Sequence, residues 1–111
     1  MKVLRKDHRY ELENFEPARE IGGIKEINCQ TIQFIEKEPV APGSTELKTV
    51  NNGTTNEEAL AMLIDRLNGL QNKFPCRENG YALEHIETAL LWLNKRTADR
   101  KARGVEGKQI K

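Results

Sequence analysis

The chain has 111 residues, of which 32% are charged, 37% hydrophobic and 5% aromatic, and its formal net charge is +1. That length suits one domain with a modest core, burying about 65% of the unfolded surface. The near-neutral balance argues against a general nucleic-acid coat protein, and no run of about 18 apolar residues offers a membrane span. The two cysteines, Cys29 and Cys76, match neither zinc nor CxxC spacing and make no disulfide framework. They read as reduced thiols in a cytosolic protein without a signal peptide.

In chain order, "HRYELENF" (His8 to Phe15) is a candidate strand, and Gly22-Gly23 breaks the chain after it. "NCQTIQFIEKEPV" (Asn28 to Val40) reads as one strand, with apolar residues on both faces near Phe34 and Ile35. "STELKTV" (Ser44 to Val50) alternates as a second. The intervening Ala41-Pro42-Gly43 is turn chemistry, so the two are expected to form an antiparallel hairpin. Asn51-Asn52-Gly53 then turns the chain into a helix. Thr55 and Glu58 have capping-box spacing, and Leu60, Leu63, Ile64, Leu67, Leu70 and Phe74 follow helical periodicity, which predicts a helix over about 56–73. Pro75 ends it. "FPCRENG" is the expected connector, with Gly80 turning the chain into a second helix over about 81–103 and Gly104 at its left-handed stop. On that helix Leu83, Ile86, Leu90 and Leu93 form one stripe and Ala82, His85, Ala89, Trp92 and Arg96 another. Two stripes exceed what a helical hairpin buries, so the second is expected to face the sheet or a partner chain. The fold class is therefore α+β: a small N-terminal antiparallel β-sheet (about 1–53), an antiparallel two-helix hairpin (about 54–104) and a tail (105–111), in a single domain that is expected to be oligomeric.

The charge is unevenly spread. From Lys95 onward there are seven Lys/Arg against two acids, whereas the preceding 94 residues hold 11 basic and 15 acidic residues. A local cationic patch on an acidic body suits a compact anion better than a long polyanion. Arg96, Arg100 and Arg103 share one helix face. The plain reading is a solvated helix end, with Asp99 at pairing distance from Arg96 or Arg103 and the cations favoured by the helix dipole. The arginine bias favours bidentate phosphate binding instead. In the connector, Phe74 and Tyr81 offer stacking surfaces, Arg77 a phosphate contact and Asn79 an amide for an adenine edge. About 20 helical residues place those groups about 30 Å from Arg103. One chain cannot close both on a small ligand, but two antiparallel copies can. Enzyme signatures are lacking: His8 and His85 belong to no pair or triad, and neither a metal-ligand pattern nor a phosphate loop occurs.

The segment "NEEALAMLIDRLNGLQNKFPCRENGYALEHIETALLWLNKRTADRKARGVEGKQ" resembles the hairpin domain shared by phage anti-Thoeris and anti-CBASS sponge proteins, with "ALLWLNKRTADRKARGVEG" as its specific part. "TIQFIEKEPVAPGSTELKTVNNGTTNEE" is similar to the β-portion of the anti-Thoeris members. The likeness runs from about Asn28 to Gln109 and leaves the first 27 residues unmatched. It implies a phage protein of the host cytoplasm that holds, without cleaving it, the TIR-derived messenger glycocyclic ADP-ribose. It further implies a binding dimer assembling to a homohexamer, with cyclic di- or trinucleotides of CBASS signalling at separate sites. No enzymatic activity, cofactor, metal, nucleic acid or membrane is expected. By the same resemblance Phe74, Arg77 and Asn79 match the base- and ribose-contacting region, Arg103, Arg100 and Arg96 match the pyrophosphate-binding helix end, and Pro42, Gly43 and Ser44 line the second site. The alternative from another class is a small phage nucleic-acid-binding or regulatory protein, supported by the basic tail.

Overall fold

The computed structural model describes residues 1–111. Seven short strands precede two helices, an α+β order. The chain forms two compact units, one of residues 1–37 and 49–54, the other of residues 38–48 and 55–111.

In the first unit β1 (Lys2–Arg5), β2 (Arg9–Glu13) and β5 (Cys29–Gln33) form a three-stranded antiparallel sheet with β2 central. Between β2 and β5 the chain makes a small antiparallel ribbon, β3 (Glu20–Ile21) and β4 (Ile24–Lys25), turned by Gly22-Gly23, both at positive φ. The candidate strand at His8 to Phe15 is therefore present as β2. The single strand expected over Asn28 to Val40 is not: it divides into β5, which pairs with β2, and β6 (Glu36–Pro39), which pairs with β7 (Leu47–Asn51). The break falls at Phe34-Ile35, where the backbone leaves β2 to bond Thr54; Ile35 N–H donates to the Thr54 carbonyl at 2.9 Å and Thr54 N–H to that of Gln33 at 2.9 Å. Gly53 permits this crossing. A Cβ there would lie 2.3 Å from the Gln33 carbonyl oxygen, closer than any side chain tolerates. Phe34 meets Tyr10 edge to face, centroids 6.0 Å apart.

Glu36 is the buried polar centre of this unit. Its carboxylate accepts two bonds from the Arg5 guanidinium, at 2.6 and 2.7 Å, and one from the Asn51 amide at 2.9 Å. The Arg5 hydrogen bonds, followed by that of Asn51, hold its pKa down to about 2. Burial pushes the Cys29 thiol up, and Glu11, 3.4 Å from its sulfur, adds to the shift.

The β6–β7 ribbon contributes to both units. Its loop, 40–46, is too short for a parallel crossover, so the pair is the antiparallel hairpin expected at Ala41-Pro42-Gly43. Val40 N–H bonds the Glu46 carbonyl at 3.0 Å.

In the second unit α1 spans Asn56–Lys73 and α2 spans Arg77–Ala102. Thr55 caps α1, its hydroxyl accepting from Glu58 N–H at 3.2 Å, with Glu57 and Glu58 at the positive end of the dipole. Leu60, Ile64, Leu67 and Leu70 are half-buried against α2, where Leu83, Ile86, Leu90 and Leu93 make the facing stripe. Leu83 is the one buried hydrophobic residue of the chain. On the other stripe of α2, His85, Ala89, Trp92 and Arg96 are exposed. Leu91, Met62 and Leu63 are exposed as well.

α2 starts four residues before its expected start at Tyr81. Cys76 supplies the N-cap, its sulfur accepting from Asn79 N–H at 3.4 Å, and Gly80 lies within the helix instead of turning the chain. The link between the helices is only Phe74-Pro75-Cys76.

Candidate functional site

The C-terminal end of α2 is built by its own tail. Gly104, at φ +70°, closes a Schellman turn: Gly104 N–H bonds the Lys101 carbonyl at 3.0 Å and Val105 N–H that of Arg100 at 3.0 Å. The chain then folds back over Arg100. That guanidinium donates to the carbonyls of Val105 (2.9 Å), Lys108 (2.6 Å) and Ile110, and to the Glu106 carboxylate at 3.3 Å. Arg100 is 7% exposed.

The resemblance put Arg103 first at a pyrophosphate-binding helix end, with Arg96 and Arg100 after it; the buried one of the three is Arg100. In the structure it is committed to ordering the tail. The donors that a phosphate would take are aimed at main-chain oxygens, because a turn that doubles back on a helix end presents a cluster of orphan carbonyls.

Arg96 and Arg103 remain exposed. With Trp92, Lys95, Asp99, Ala102 and Lys111 they line an open groove of about 700 Å³, which Arg100 floors. Arg103 donates to the Lys111 carbonyl at 2.6 Å, an exposed contact that a ligand can replace. Asp99 pairs with Lys95 at 3.2 Å, not with Arg96 or Arg103 as the spacing allowed. The groove thus presents two guanidiniums that no Asp or Glu side chain pairs, beside a 66%-exposed indole. Anion binding is the chemistry this arrangement supports, with a stacking surface one helical turn from Arg96. Trp92 was read only as part of a packing stripe; its place four residues before Arg96 was the signal that it shares the arginine face.

The other end of α2 carries the remaining candidates. Phe74 is 79% exposed on the inter-helix link. Arg77 and Asn79 were expected in an extended connector but occupy the first turn of α2, because Cys76 caps the helix that early. Arg77 faces Glu78 at 3.4 Å, both side chains largely exposed. From Phe74 to Arg103 runs the whole 26-residue helix, about 39 Å at 1.5 Å per residue. The structure therefore brings Arg96 and Arg103 together, brings Phe74, Arg77 and Asn79 together, and keeps the two groups apart within one chain.

The turn at Pro42, Gly43 and Ser44 is a third location. Ser44 N–H bonds the Ala41 carbonyl at 3.0 Å with Gly43 at φ +78°, and the Ser44 hydroxyl accepts from Glu46 N–H at 3.1 Å. The tail reaches this turn too: Gln109 N–H bonds the Thr45 carbonyl at 2.9 Å and Lys108 pairs with Glu46 at 3.4 Å. No cluster of three His, Cys, Asp or Glu side chains is placed to hold a metal ion, and no helix is long and apolar enough to cross a membrane.

Comparison with known proteins bears on this hairpin. A 57-residue stretch, half of the chain, is 58% identical to Thoeris anti-defense 1 of Bacillus phage SBSphiJ7, and covers 40% of that protein's length. The family model described as "Acb2/Tad1, hairpin domain" matches residues 38–98, which take in the turn, α1, the link and α2 through Ala98. With more than half of its length matched, the chain belongs to the Acb2/Tad1 hairpin domain family.

Proposed function

We propose that this protein is a phage anti-defence sponge that binds glycocyclic ADP-ribose, the messenger of Thoeris immunity, and holds it uncleaved in the cytoplasm of the infected host. The observation that carries the reading is the groove at the end of α2, where Arg96 and Arg103 stand exposed with no Asp or Glu side chain paired to them, in a chain similar over half its length to a Thoeris anti-defense protein. A cyclic ADP-ribose carries two phosphate charges, an adenine and two riboses. The guanidiniums suit the pyrophosphate, and Phe74, Arg77 and Asn79 suit the base and riboses. Since one chain separates the two groups, the complete site is shared by two copies, with the link of one protomer beside the tail of its partner. The exposed Met62, Leu63, Leu91 and Trp92 give the helices apolar surface for such a homodimer, and three dimers would make a homohexamer. The turn at Pro42, Gly43 and Ser44 would take cyclic di- or trinucleotides independently. No catalytic step is assigned to any residue.

Mixing the protein with a TIR-generated glycocyclic ADP-ribose extract, filtering, and assaying the filtrate on the Thoeris NADase tests this directly. Activity should vanish from the filtrate and return when the retained protein is heat-denatured. Activity that never returns would make the protein a hydrolase, and activity that stays in the filtrate would remove the messenger from the proposal. The basic-tail alternative predicts nucleic-acid binding that weakens steeply with salt. It loses support from the engagement of Lys95, Arg100 and Lys108 by acids of the chain itself.

A further inference from the structure

The link that presents Phe74 has no unsatisfied N–H group. Phe74 N–H bonds the Leu70 carbonyl at 2.9 Å, and Pro75 has no donor. Cys76 N–H bonds the Gln71 side-chain oxygen at 3.0 Å, while the Gln71 side-chain N–H donates to the Cys76 carbonyl at 2.8 Å. A single carboxamide on the last turn of α1 thus pairs with both main-chain groups of Cys76, as a neighbouring strand would. Two further contacts surround it. The Cys76 sulfur caps α2 through Asn79 N–H, and the Cys76 carbonyl also accepts from Gly80 N–H at 3.3 Å. The backbone from 74 to 76 is therefore fixed from both sides while the Phe74 ring stays in solvent. A large apolar ring held outward on a link whose hydrogen bonds are complete contributes nothing to a core. It offers a stacking face that needs no ordering when a ligand arrives.

We infer that Gln71 is a positioning residue for ligand binding: its paired hydrogen bonds to Cys76 preorganise Phe74 and the first turn of α2 that carries Arg77 and Asn79. This rests on the reading that Phe74 contacts the ligand. Gln71 itself makes no ligand contact. Its removal lets the link sample other conformers, so apparent affinity falls by the fraction of chains in the competent one. Glutamate at 71 keeps the acceptor for Cys76 N–H and loses the donor to its carbonyl, so Gln71→Glu should lie between wild type and Gln71→Ala.

The test is a double-mutant cycle read by calorimetric Kd for purified glycocyclic ADP-ribose, using wild type, Gln71→Ala, Phe74→Ala and the double variant, with Gln71→Glu alongside. Gln71→Ala should weaken binding about fivefold. In the Phe74→Ala background the same change should cost clearly less, because one of the residues it positions is gone. A Gln71 effect of equal size in both backgrounds would show a general structural role and overturn the inference while leaving the ligand site intact. Wild-type affinity in Gln71→Ala would overturn it too. Wild-type affinity in Phe74→Ala would instead remove Phe74 from the ligand, taking this inference down together with that part of the proposed function.

Discussion

The two buried charged residues of the chain, Glu36 and Arg100, are each 7% exposed and are held in opposite ways. Glu36, on β6, is satisfied by side chains far along the sequence, Arg5 of β1 and Asn51 of β7. Arg100 is satisfied mostly by main-chain carbonyls five to ten residues downstream. The first arrangement ties together a unit made of non-local strand pairings. The second ends a helix and needs only its own tail. A charge can thus be withdrawn from water by tertiary pairing or by a local turn.

The Arg100 centre should be the more costly to break. Arg100→Ala leaves the carbonyls of Val105, Lys108 and Ile110 without their donor, and should destabilise the second unit by about 2–3 kcal/mol, given bonds to a charged group. Thermal melts would show the loss, and amide exchange should rise over 105–110 first. Arg100→Lys should recover little of it, since an ammonium cannot span four acceptors in the plane of a guanidinium. Unchanged protection in the tail would mean that the carbonyl cluster is solvated anyway.

The equivalent weak point of the first unit is a glycine. Gly53→Ala drives a methyl into the Gln33 carbonyl and the Phe34 backbone at 2.3–2.8 Å, which should cost roughly 2 kcal/mol through displacement of the β5–β6 crossing. Denaturant unfolding would measure it. A neutral substitution would show that the crossing is loosely held.

Arg103 sharpens the contrast with Arg100, three residues before it. Arg103→Ala should leave the melting temperature within a degree or two and weaken glycocyclic ADP-ribose binding at least tenfold, about 1.4 kcal/mol. Phe74→Ala should do the same from the other end of α2. Wild-type affinity in both variants would dismiss this site.

Much of this was legible in the sequence. Helix α1 was, because Thr55, the leucine periodicity and Pro75 all act locally. The start of α2 was not: cysteine is a weak and uncommon cap, and Gly80 imitates a turn. Neither was the division of Asn28 to Val40, since continuous β-propensity conceals a break imposed by Gly53 from a distant segment. The three arginines were correctly placed on one face. Their separation into one buried and two exposed was hidden, because the carbonyls that claim Arg100 belong to a tail with no periodicity to read.

Acid separates the two centres most finely. Glu36 is the member of the pair that an acid titration reaches. Its folded pKa is about 2, against about 4.3 for an unfolded glutamate. The folded value is the lower one, so the unfolded chain binds the proton more readily. The stabilisation from Glu36 is complete above about pH 4.3 and is lost as the pH falls from there through 2. Stability of the first unit, followed by amide signals of β5 and β6, should decline across that window. Glu36→Gln, which keeps the shape but not the charge, should be less stable at neutral pH and nearly level over the same interval. The single tryptophan, Trp92, lies on α2 and reports the second unit by fluorescence. If its transition follows the same acid profile and loses it in Glu36→Gln, the two units unfold as one; if it does not, each centre holds only its own unit.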